Sequence, residues 1–299
     1  MSGQKDQHLN LSAGLLSVAV AALLVGTKLW ALGTTGALSV AASLADSAMD
    51  LMVSLGAMAA ILYAAKPADE DHAFGHTSIE DLAALGQSLF ILISAGVISL
   101  AAIERLRTSE PTRLVDETAG IWVMVFSICL TLGLVLWQGR VARRTGSKVV
   151  AADRLQYLGD LLPNIGAILS LWASKQFGMV TIDSVVALGA AAMLALGALR
   201  IGRDAWHALM DRSADPSVIE TVAKIARDWP GVHGFHDIKT RMAGSRIFIQ
   251  IHIELDGRQT LSEAHSIGAG LRRAILEAIP QADVIVHKDV AEIEGAMGR

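Results

Sequence analysis

Long apolar runs fill the first two thirds of the chain, and short polar or turn-forming segments separate them. A helix needs roughly 20 apolar residues to cross the hydrocarbon core of a membrane. Six runs reach helical length, so the pattern predicts six membrane-spanning helices: Leu11–Leu32, Ala37–Ala65, Ile79–Leu106, Val115–Gln138, Val149–Lys175 and Ile182–Ala205. An even number of spans returns the chain to the side of the membrane on which it begins.

The pattern changes after about Asp211, where the long apolar runs end. Two later segments have apolar residues at helical spacing, and three alternate between apolar and polar residues. In chain order they are Pro216–Trp229 (helix), Gly234–Thr240 and Arg246–Glu254 (strands), Leu261–Ile279 (helix) and Asp283–His287 (strand). This α-β-β-α-β order predicts a small α+β domain. We therefore expect a transmembrane domain over residues 1–210 and a cytoplasmic domain over residues 211–299.

The composition agrees with a membrane protein, since 53% of the 299 residues are hydrophobic. The net charge of -4 gives no indication of nucleic-acid binding, which needs a clustered basic surface. The single cysteine, Cys129, excludes an intramolecular disulfide.

Basic residues in the segment between the fourth and fifth runs predict the orientation. This segment contains Arg140, Arg143, Arg144 and Lys148, and positively charged loops stay on the cytoplasmic side. We therefore expect both termini in the cytoplasm and a multi-pass protein of the inner (plasma) membrane.

Aspartates inside two of the apolar runs are the first candidates for chemistry. Asp46 and Asp50 lie four residues apart in the second run, and therefore on one helix face. Because an ionised carboxylate inside a membrane costs several kcal/mol, such residues are retained for a function. The default hypothesis is an ion site.

The fifth run carries a second polar face, formed by Asp153, Gln156, Asp160 and Asn164. Asp46, Asp50, Gln156 and Asp160 together offer four oxygen donors, which suits one divalent cation. The alternative is hydrogen bonding between helices by protonated carboxylic acids and amides.

Two further groups combine carboxylates with imidazoles. The loop after the second run reads Asp69-Glu70-Asp71-His72-Ala73-Phe74-Gly75-His76, which suits a zinc-like ion or is simply solvated surface. In the last domain, four histidines come from different predicted elements and an aspartate follows the last of them: His236, His252, His265, His287 and Asp289. A metal site there requires that these elements converge. We interpret His207 and His233 as ordinary surface or core residues without a metal.

Motifs in three regions resemble the cation diffusion facilitators, and most closely the bacterial ferrous-iron and zinc efflux type. In the first two regions they are Ala45-Asp46-Ser47-Ala48-Met49-Asp50, Lys66-Pro67-Ala68-Asp69, His72-Ala73-Phe74-Gly75-His76 and Leu82-Ala83-Ala84-Leu85. In the last domain they are Trp229-Pro230-Gly231-Val232, Ile249-Gln250-Ile251-His252 and Val284-Ile285-Val286-His287. The resemblance covers essentially the whole chain.

The resemblance implies a polytopic α-helical membrane protein, a homodimer of six-span protomers with metallochaperone-like cytoplasmic domains. It would export divalent metal in exchange for protons, without a cofactor and without enzymatic activity. The resemblance further implies three sites: a transport site with Asp46, Asp50 and Asp160, a loop site with Asp69, His72 and His76, and a two-metal cytoplasmic site with His236, His252, His265, His287 and Asp289.

Two positions depart from the family pattern. Zinc-transporting members have histidine where this chain has Gln156. An amide oxygen among carboxylates is a harder donor set, which favours Mn(II) or Fe(II), with Zn(II) close behind. Ser78 stands where close relatives carry a lysine that joins a charge interlock at the dimer interface, although Asp211 retains the acidic partner.

Three alternatives remain open at this point. The first is a zinc-selective exporter of the same family. The second is an intramembrane aspartyl protease, because Tyr157-Leu158-Gly159-Asp160 weakly resembles the motif of those enzymes but lacks its first glycine. The third is a membrane metal receptor that does not transport.

Overall fold

The structure is a computed structural model that describes residues 2–35, 38–108, 118–161 and 182–291. The chain divides into two compact units. One is Asp6–Trp206, and the other is His207–Arg299 together with Met1–Lys5. Each unit has its own hydrophobic core.

The first unit is helical. Its helices are α1 (Ser2–Thr35), α2 (Leu38–Ala64), α3 (Ser78–Thr108), α4 (Thr118–Thr145), α5 (described over 148–161) and α6 (Ile182–Leu209). Each overlaps one of the predicted apolar runs, which confirms the helical interpretation of the described parts. The rest of the predicted fifth span, residues 162–175, lies outside the described residues.

Several helices are longer than the apolar runs that predicted them. Helix α4 continues past Gln138 to Thr145 and ends at Gly146, which has a φ of 70° and whose N–H bonds to the Ala142 carbonyl oxygen. A left-handed glycine is a common end of a helix. The apolar run therefore predicts the part suited to hydrocarbon, whereas the helix ends at its own stop signal.

Three of the described helices are long and apolar enough to cross a membrane: Asp6–Trp30, Ser47–Ala64 and Ser78–Glu104. Their outer surfaces are apolar. On α3, for example, Ile93, Val97 and Leu100 are 61%, 62% and 70% exposed. Lipid is the solvent that such a surface fits. The number of six spans stays a prediction.

Small residues let the helices approach one another closely. Ala13, Ala57, Ala84 and Ala205 come from four helices and are all at most 3% exposed in one cluster. Helix α5 also packs closely on α6, because a Cβ atom added at Gly197 would lie 2.9 Å from a Leu155 methyl carbon.

The second unit has the predicted α-β-β-α-β order. Its elements are α7 (Pro216–Arg227), β1 (Gly234–Ala243), β2 (Arg246–Leu255), α8 (Leu261–Ala278) and β3 (Ala282–Val290). The sheet order is β1-β2-β3, with β1 antiparallel and β3 parallel to β2. The two helices pack with the sheet on one core, and α8 is fixed at its start by a capping box between Thr260 and Glu263.

The central strand β2 separates an apolar face from a polar one. Ile247, Ile249, Ile251, Ile253 and Leu255 are all at most 4% exposed and form the core with the helices. Because side chains alternate along a strand, Gln250, His252 and Glu254 lie on the opposite face.

An irregularity in β1 keeps both faces consistent along that strand. The pairing with β2 shifts between His236 and Lys239, and Asp237 has a φ of 53°. These are the features of a β-bulge, in which one extra residue is inserted into a strand. Phe235 and Ile238, on either side of this point, both pack against the core.

Candidate metal sites

Two of the four predicted transport residues meet between α2 and α5. The Gln156 amide nitrogen donates a hydrogen bond of 3.0 Å to Asp50 Oδ1. Gln156 is only 7% exposed, and its Oε1 atom is buried without a hydrogen-bond partner among the described residues. A buried amide oxygen without a partner is costly, and here it is a ligand atom that a cation can use.

The described part of the structure includes no contact between this pair and the other two predicted transport residues, Asp46 and Asp160. Asp160 lies one turn beyond Gln156 on α5 and has an exposed side chain. Asp46 belongs to α2, but its side chain lies outside the described residues. The structure therefore brings Asp50 and Gln156 together and does not test the four-oxygen shell.

A cluster of hydrogen bonds lies one turn from this pair. Ser54, one turn after Asp50 on α2, lies 2.9 Å from the Tyr157 hydroxyl oxygen, and its own hydroxyl lies 3.4 Å from Asp153 Oδ1. Asp50 contacts Gln156, and the later residue Ser54 contacts the earlier residue Asp153. The two helices therefore run antiparallel. The sequence predicts Asp153 as part of a polar face and names Tyr157 only within the protease-like motif, and it does not single out Ser54. The spacing of Ser54 and Tyr157 by one turn from predicted ligands is the signal that could have found them.

The structure brings the loop residues Asp69, His72 and His76 together, with one ligand atom of each within 4.8 Å of the others. Asp69 bridges the two rings: its Oδ1 lies 3.1 Å from His72 Nδ1, and its Oδ2 lies 3.2 Å from His76 Nε2. The backbone N–H of His72, which donates to Asp69 Oδ1, is the main cause that lowers the pKa of Asp69. An ionised carboxylate between two imidazoles suits a zinc-like ion.

The His76 side chain is 2% exposed, whereas the Asp69 and His72 side chains are about half exposed, at 53% and 51%. The Tyr63 ring packs edge-on against the His76 imidazole at 4.8 Å between centroids. His76 is therefore the fixed residue of the group.

Three predicted histidines form a row across the sheet of the second unit, the histidine row. His236 on β1 is paired with His252 on β2, and His252 is paired with His287 on β3. The alternation of side chains places this row on the polar face, opposite the helices. The convergence that the sequence left open therefore follows from the strand register.

Asp289 joins the three histidines. Its Oδ2 lies 2.9 Å from His252 Nδ1 and 3.4 Å from His236 Nε2, and its Oδ1 lies 2.9 Å from His287 Nδ1. The hydrogen bond with His252 is the main cause that lowers the pKa of Asp289. One ligand atom each of His236, His252 and Asp289 lies within 4.8 Å of the others, so this donor set fits a divalent metal.

Glu254 belongs to this site but was missed in the sequence. Its Oε1 lies 3.0 Å from His236 Nδ1, and it pairs with Asp289 in the register of β2 and β3. The signal was its position two residues after His252, which puts both on the same face of the strand.

His265 is not in this group within one chain. It lies on the exposed surface of α8, whereas Leu271 and Ile275 of that helix pack on the core face of the sheet. The helix and the histidine row are thus on opposite faces. Asp211, the predicted interlock residue, has a partner in its own unit, because its Oδ1 lies 3.2 Å from Arg241 Nη1.

Comparison with known proteins identifies the family. Residues 14–210 match the cation efflux transmembrane domain, and residues 214–290 match the cytoplasmic domain of cation efflux proteins. The chain therefore belongs to the cation efflux family, the cation diffusion facilitators, which confirms the resemblance and the predicted fold class.

Curated relatives are similar over nearly the whole chain. The cation-efflux pump FieF of Yersinia enterocolitica is 40% identical over 278 residues, which are 93% of this chain and 92% of that protein. The pump of the same name from Serratia proteamaculans is 38% identical over 290 residues, 96% of each chain. Among solved structures, the metal-bound C-terminal domain of the CzcD transporter from Thermotoga maritima is 24% identical and covers 26% of this chain and 91% of that chain, with a TM-score of 0.25.

Proposed function

We propose that this protein exports divalent transition-metal cations by metal/proton antiport with alternating access. The observation that carries the proposal is the contact between Asp50 and Gln156 inside a bundle with an apolar outer surface. Ionisable and amide side chains within membrane helices are retained for a function. In this proposal, residues 1–210 form the membrane domain and residues 211–299 the cytoplasmic domain. The protein lies in the inner membrane, with both termini in the cytoplasm.

Asp46, Asp50, Gln156 and Asp160 form the transport site in this proposal. Gln156 lies opposite Asp50, and Asp153 lies opposite Ser54. The antiparallel register, continued by one further turn, puts position 46 of α2 at the level of position 160 of α5. All four residues then lie within two adjacent layers of the bundle.

Shared ligands couple the metal to protons. A metal ion and a proton compete for the same carboxylate oxygen, and metal binding therefore releases protons. In the state open to the cytoplasm, ionised carboxylates bind the cation. In the state open to the outside, protons displace it. A site near the middle of the membrane that opens alternately to each side then exchanges one for the other.

Gln156 bears on the choice of metal. An amide oxygen with carboxylates is a hard donor set, and such sets suit Mn(II) and Fe(II). Intrinsic affinity still rises toward Zn(II) along the first-row series. We therefore propose Mn(II) or Fe(II) as the preferred cargo with Zn(II) close behind, and the zinc-selective exporter is the second candidate.

The test is metal flux in vesicles that contain the purified protein and carry a pH gradient. Mn(II), Fe(II), Zn(II) and Co(II) are compared for the wild type, Gln156→His and the control Gln87→His, a buried glutamine of α3. We expect Gln156→His to shift the preference toward Zn(II) and Gln87→His to leave it unchanged. A wild-type zinc preference that Gln156→His does not alter would favour the zinc-selective exporter. Flux without counter-movement of protons would contradict antiport.

The loop site and the histidine row bind metal as regulatory sites in this proposal. The chain functions as a homodimer, and His265 of one protomer reaches the histidine row of the other, since within one protomer it lies across the sheet. Metal at this interface draws the two cytoplasmic domains together. The test is the metal dependence of flux in His252→Ala/His287→Ala, which should lose its activation at low metal.

Two rival functions are tested by the same preparations. An intramembrane protease would cleave a transmembrane peptide, and the activity would be lost in Asp160→Asn. A receptor that does not transport would bind metal with every predicted ligand but show no flux.

A further inference from the structure

Five polar side chains form a closed cluster inside the helical unit, here called the Asp153 cluster. They come from four helices, and each is at most 3% exposed: Ser17 on α1, Ser54 on α2, Gln138 on α4, and Asp153 and Tyr157 on α5. Burial of so many polar groups in an apolar bundle is costly unless they satisfy one another.

The Asp153 carboxylate is the centre of the cluster. Ser17 Oγ and Gln138 Nε2 each donate a hydrogen bond of 2.6 Å to Asp153 Oδ2, and Ser54 Oγ approaches Oδ1 at 3.4 Å. Both carboxylate oxygens thus have partners from this chain, so Asp153 is satisfied without a cation. This separates it from Gln156, whose Oε1 has no partner among the described residues.

The remaining members connect the helices to one another. Ser17 Oγ lies 2.9 Å from Ser54 Oγ, and Ser54 Oγ lies 2.9 Å from the Tyr157 hydroxyl oxygen. The first contact joins α1 to α2, and the second joins α2 to α5. The cluster therefore fixes α5 relative to three other helices.

The cluster lies next to the proposed transport site on both helices. Asp153 precedes Gln156 by three residues on α5, and Ser54 follows Asp50 by four residues on α2. Successive residues of a helix are about 100° apart around its axis, so Asp153 and Gln156 share one face of α5. A rotation of α5 that moved Gln156 away from Asp50 would also break the hydrogen bonds of Asp153.

We propose that Asp153 is a positioning residue for the transport site: its hydrogen bonds to α1, α2 and α4 hold α5 in the rotation that presents Gln156 and Asp160 to the cation. This inference rests on the proposed transport function and extends it to residues that contact no metal. The Asp153 carboxylate has three partners, Ser17, Ser54 and Gln138, and each can be removed separately by mutation.

The test compares metal flux and metal binding by the full-length protein for Asp153→Asn, Ser17→Ala and the control Ser88→Ala. Ser88 is 2% exposed, and its hydroxyl bonds to the Leu85 carbonyl oxygen of its own helix. We expect Asp153→Asn to raise the KM for Mn(II) about 10-fold, as for loss of a residue that orients a metal ligand, with little change in the maximal rate. Ser17→Ala removes one hydrogen bond to Asp153 and should raise it about 3-fold, and Ser88→Ala should not change it.

A double-mutant cycle separates positioning from a general loss of stability. Because Ser17 acts through Gln156 and Asp160 in this proposal, Ser17→Ala should raise KM less in a Gln156→Ala background than in the wild type. Additive effects in the two backgrounds would overturn the proposal, as would a loss of thermal stability in Ser17→Ala and Asp153→Asn without any change in KM.

Metal binding distinguishes this inference from the proposed function. Because the protein has several candidate metal sites, binding at the proposed transport site is measured as the part of the metal binding that Asp50→Ala abolishes. If the wild type shows no flux, transport is wrong, while weaker binding at this site in Asp153→Asn still supports positioning. If flux is present and both binding and KM are unaffected by Asp153→Asn, positioning is wrong and transport stands.

Discussion

The Asp50–Gln156 pair and the histidine row are both candidate metal sites, but they are built in opposite ways. The pair lies between two helices of an apolar bundle and combines a carboxylate with a largely buried amide. The row lies on the polar face of a sheet, combines imidazoles with a carboxylate, and has side chains from 30% to 61% exposed.

This difference in burial and donor type indicates different tasks. A half-exposed site equilibrates with the surrounding solution without a change in the fold, which suits sensing of metal. A site inside the bundle exchanges its cation only when the helices move, which suits transport. Imidazoles also favour zinc-like ions, whereas carboxylate and amide oxygens form a harder donor set. The two sites are therefore expected to respond to different variants, pH changes and metals.

The largest effect is expected from Asp50→Asn. This change removes a charged ligand of the proposed transport site, so flux should fall at least about 100-fold, since outer partners of metal sites alone contribute about 10- to 100-fold. Metal binding at the histidine row should be unchanged. The matched control is Asp71→Asn, an exposed carboxylate outside both metal groups of the described residues. Equal loss of flux in the control would contradict the assignment.

The next effect is expected from His252→Ala. His252 is the central residue of the row and contacts Asp289, so its loss should weaken metal binding in the second unit about 100-fold, the upper end of the effects seen even for outer partners. Transport at saturating metal should persist. His233→Ala is the control, because this exposed histidine belongs to neither metal group. Calorimetric titration of the full-length protein with Zn(II) measures the effect, and undiminished binding would contradict it.

A smaller effect is expected from Glu254→Gln. Glu254 Oε1 lies 3.0 Å from His236 Nδ1. Glu254 therefore orients this ring, although it is not one of the predicted ligands. Binding at the histidine row should weaken about 10-fold, at the lower end of the effects of such orienting residues. An effect as large as that of His252→Ala would instead make Glu254 a ligand.

The smallest effect is expected at the start of α8. Thr260 N–H donates to Glu263 Oε2 at 2.8 Å, and this bond is the main cause that lowers the pKa of Glu263. A carboxyl group with a lowered pKa stabilises the fold above its unfolded pKa, and this stabilisation is lost as the pH falls through the folded value. Hydrogen exchange at the first turn of α8 should therefore be faster in Glu263→Gln at neutral pH.

The difference from the wild type should then disappear at acidic pH. Glu277→Gln, at the other end of the same helix, is the control and should not alter exchange in the first turn. Metal binding at the histidine row should be the same in both variants, because α8 lies on the opposite face of the sheet. Weaker binding in Glu263→Gln would show that the site depends on this helix within one protomer.

The sequence predicted the elements well and their contacts only in part. Apolar length predicted the described helices, and alternation predicted the strands, because both patterns are local. The histidine row could be proposed but not placed, since its geometry depends on the register between strands. The contact of Ser17 with Asp153 joins residues 136 positions apart, and which helices become neighbours is not encoded in the local pattern of either one.

The β-bulge at Asp237 decides on which face of the sheet the side chains of β1 lie. In a regular strand, His236 and Ile238 would share a face, and one of them would be misplaced. The extra residue changes the phase of the alternation, so that His236 lies in the row while Ile238 and Met242 lie in the core. A variant that straightened β1 without removing a residue would have to misplace either His236 or Ile238 and Met242, whereas deletion of Asp237 itself would leave all three on their present faces. Asp237 is part of neither the histidine row nor the core, but its insertion lets one strand supply side chains to both.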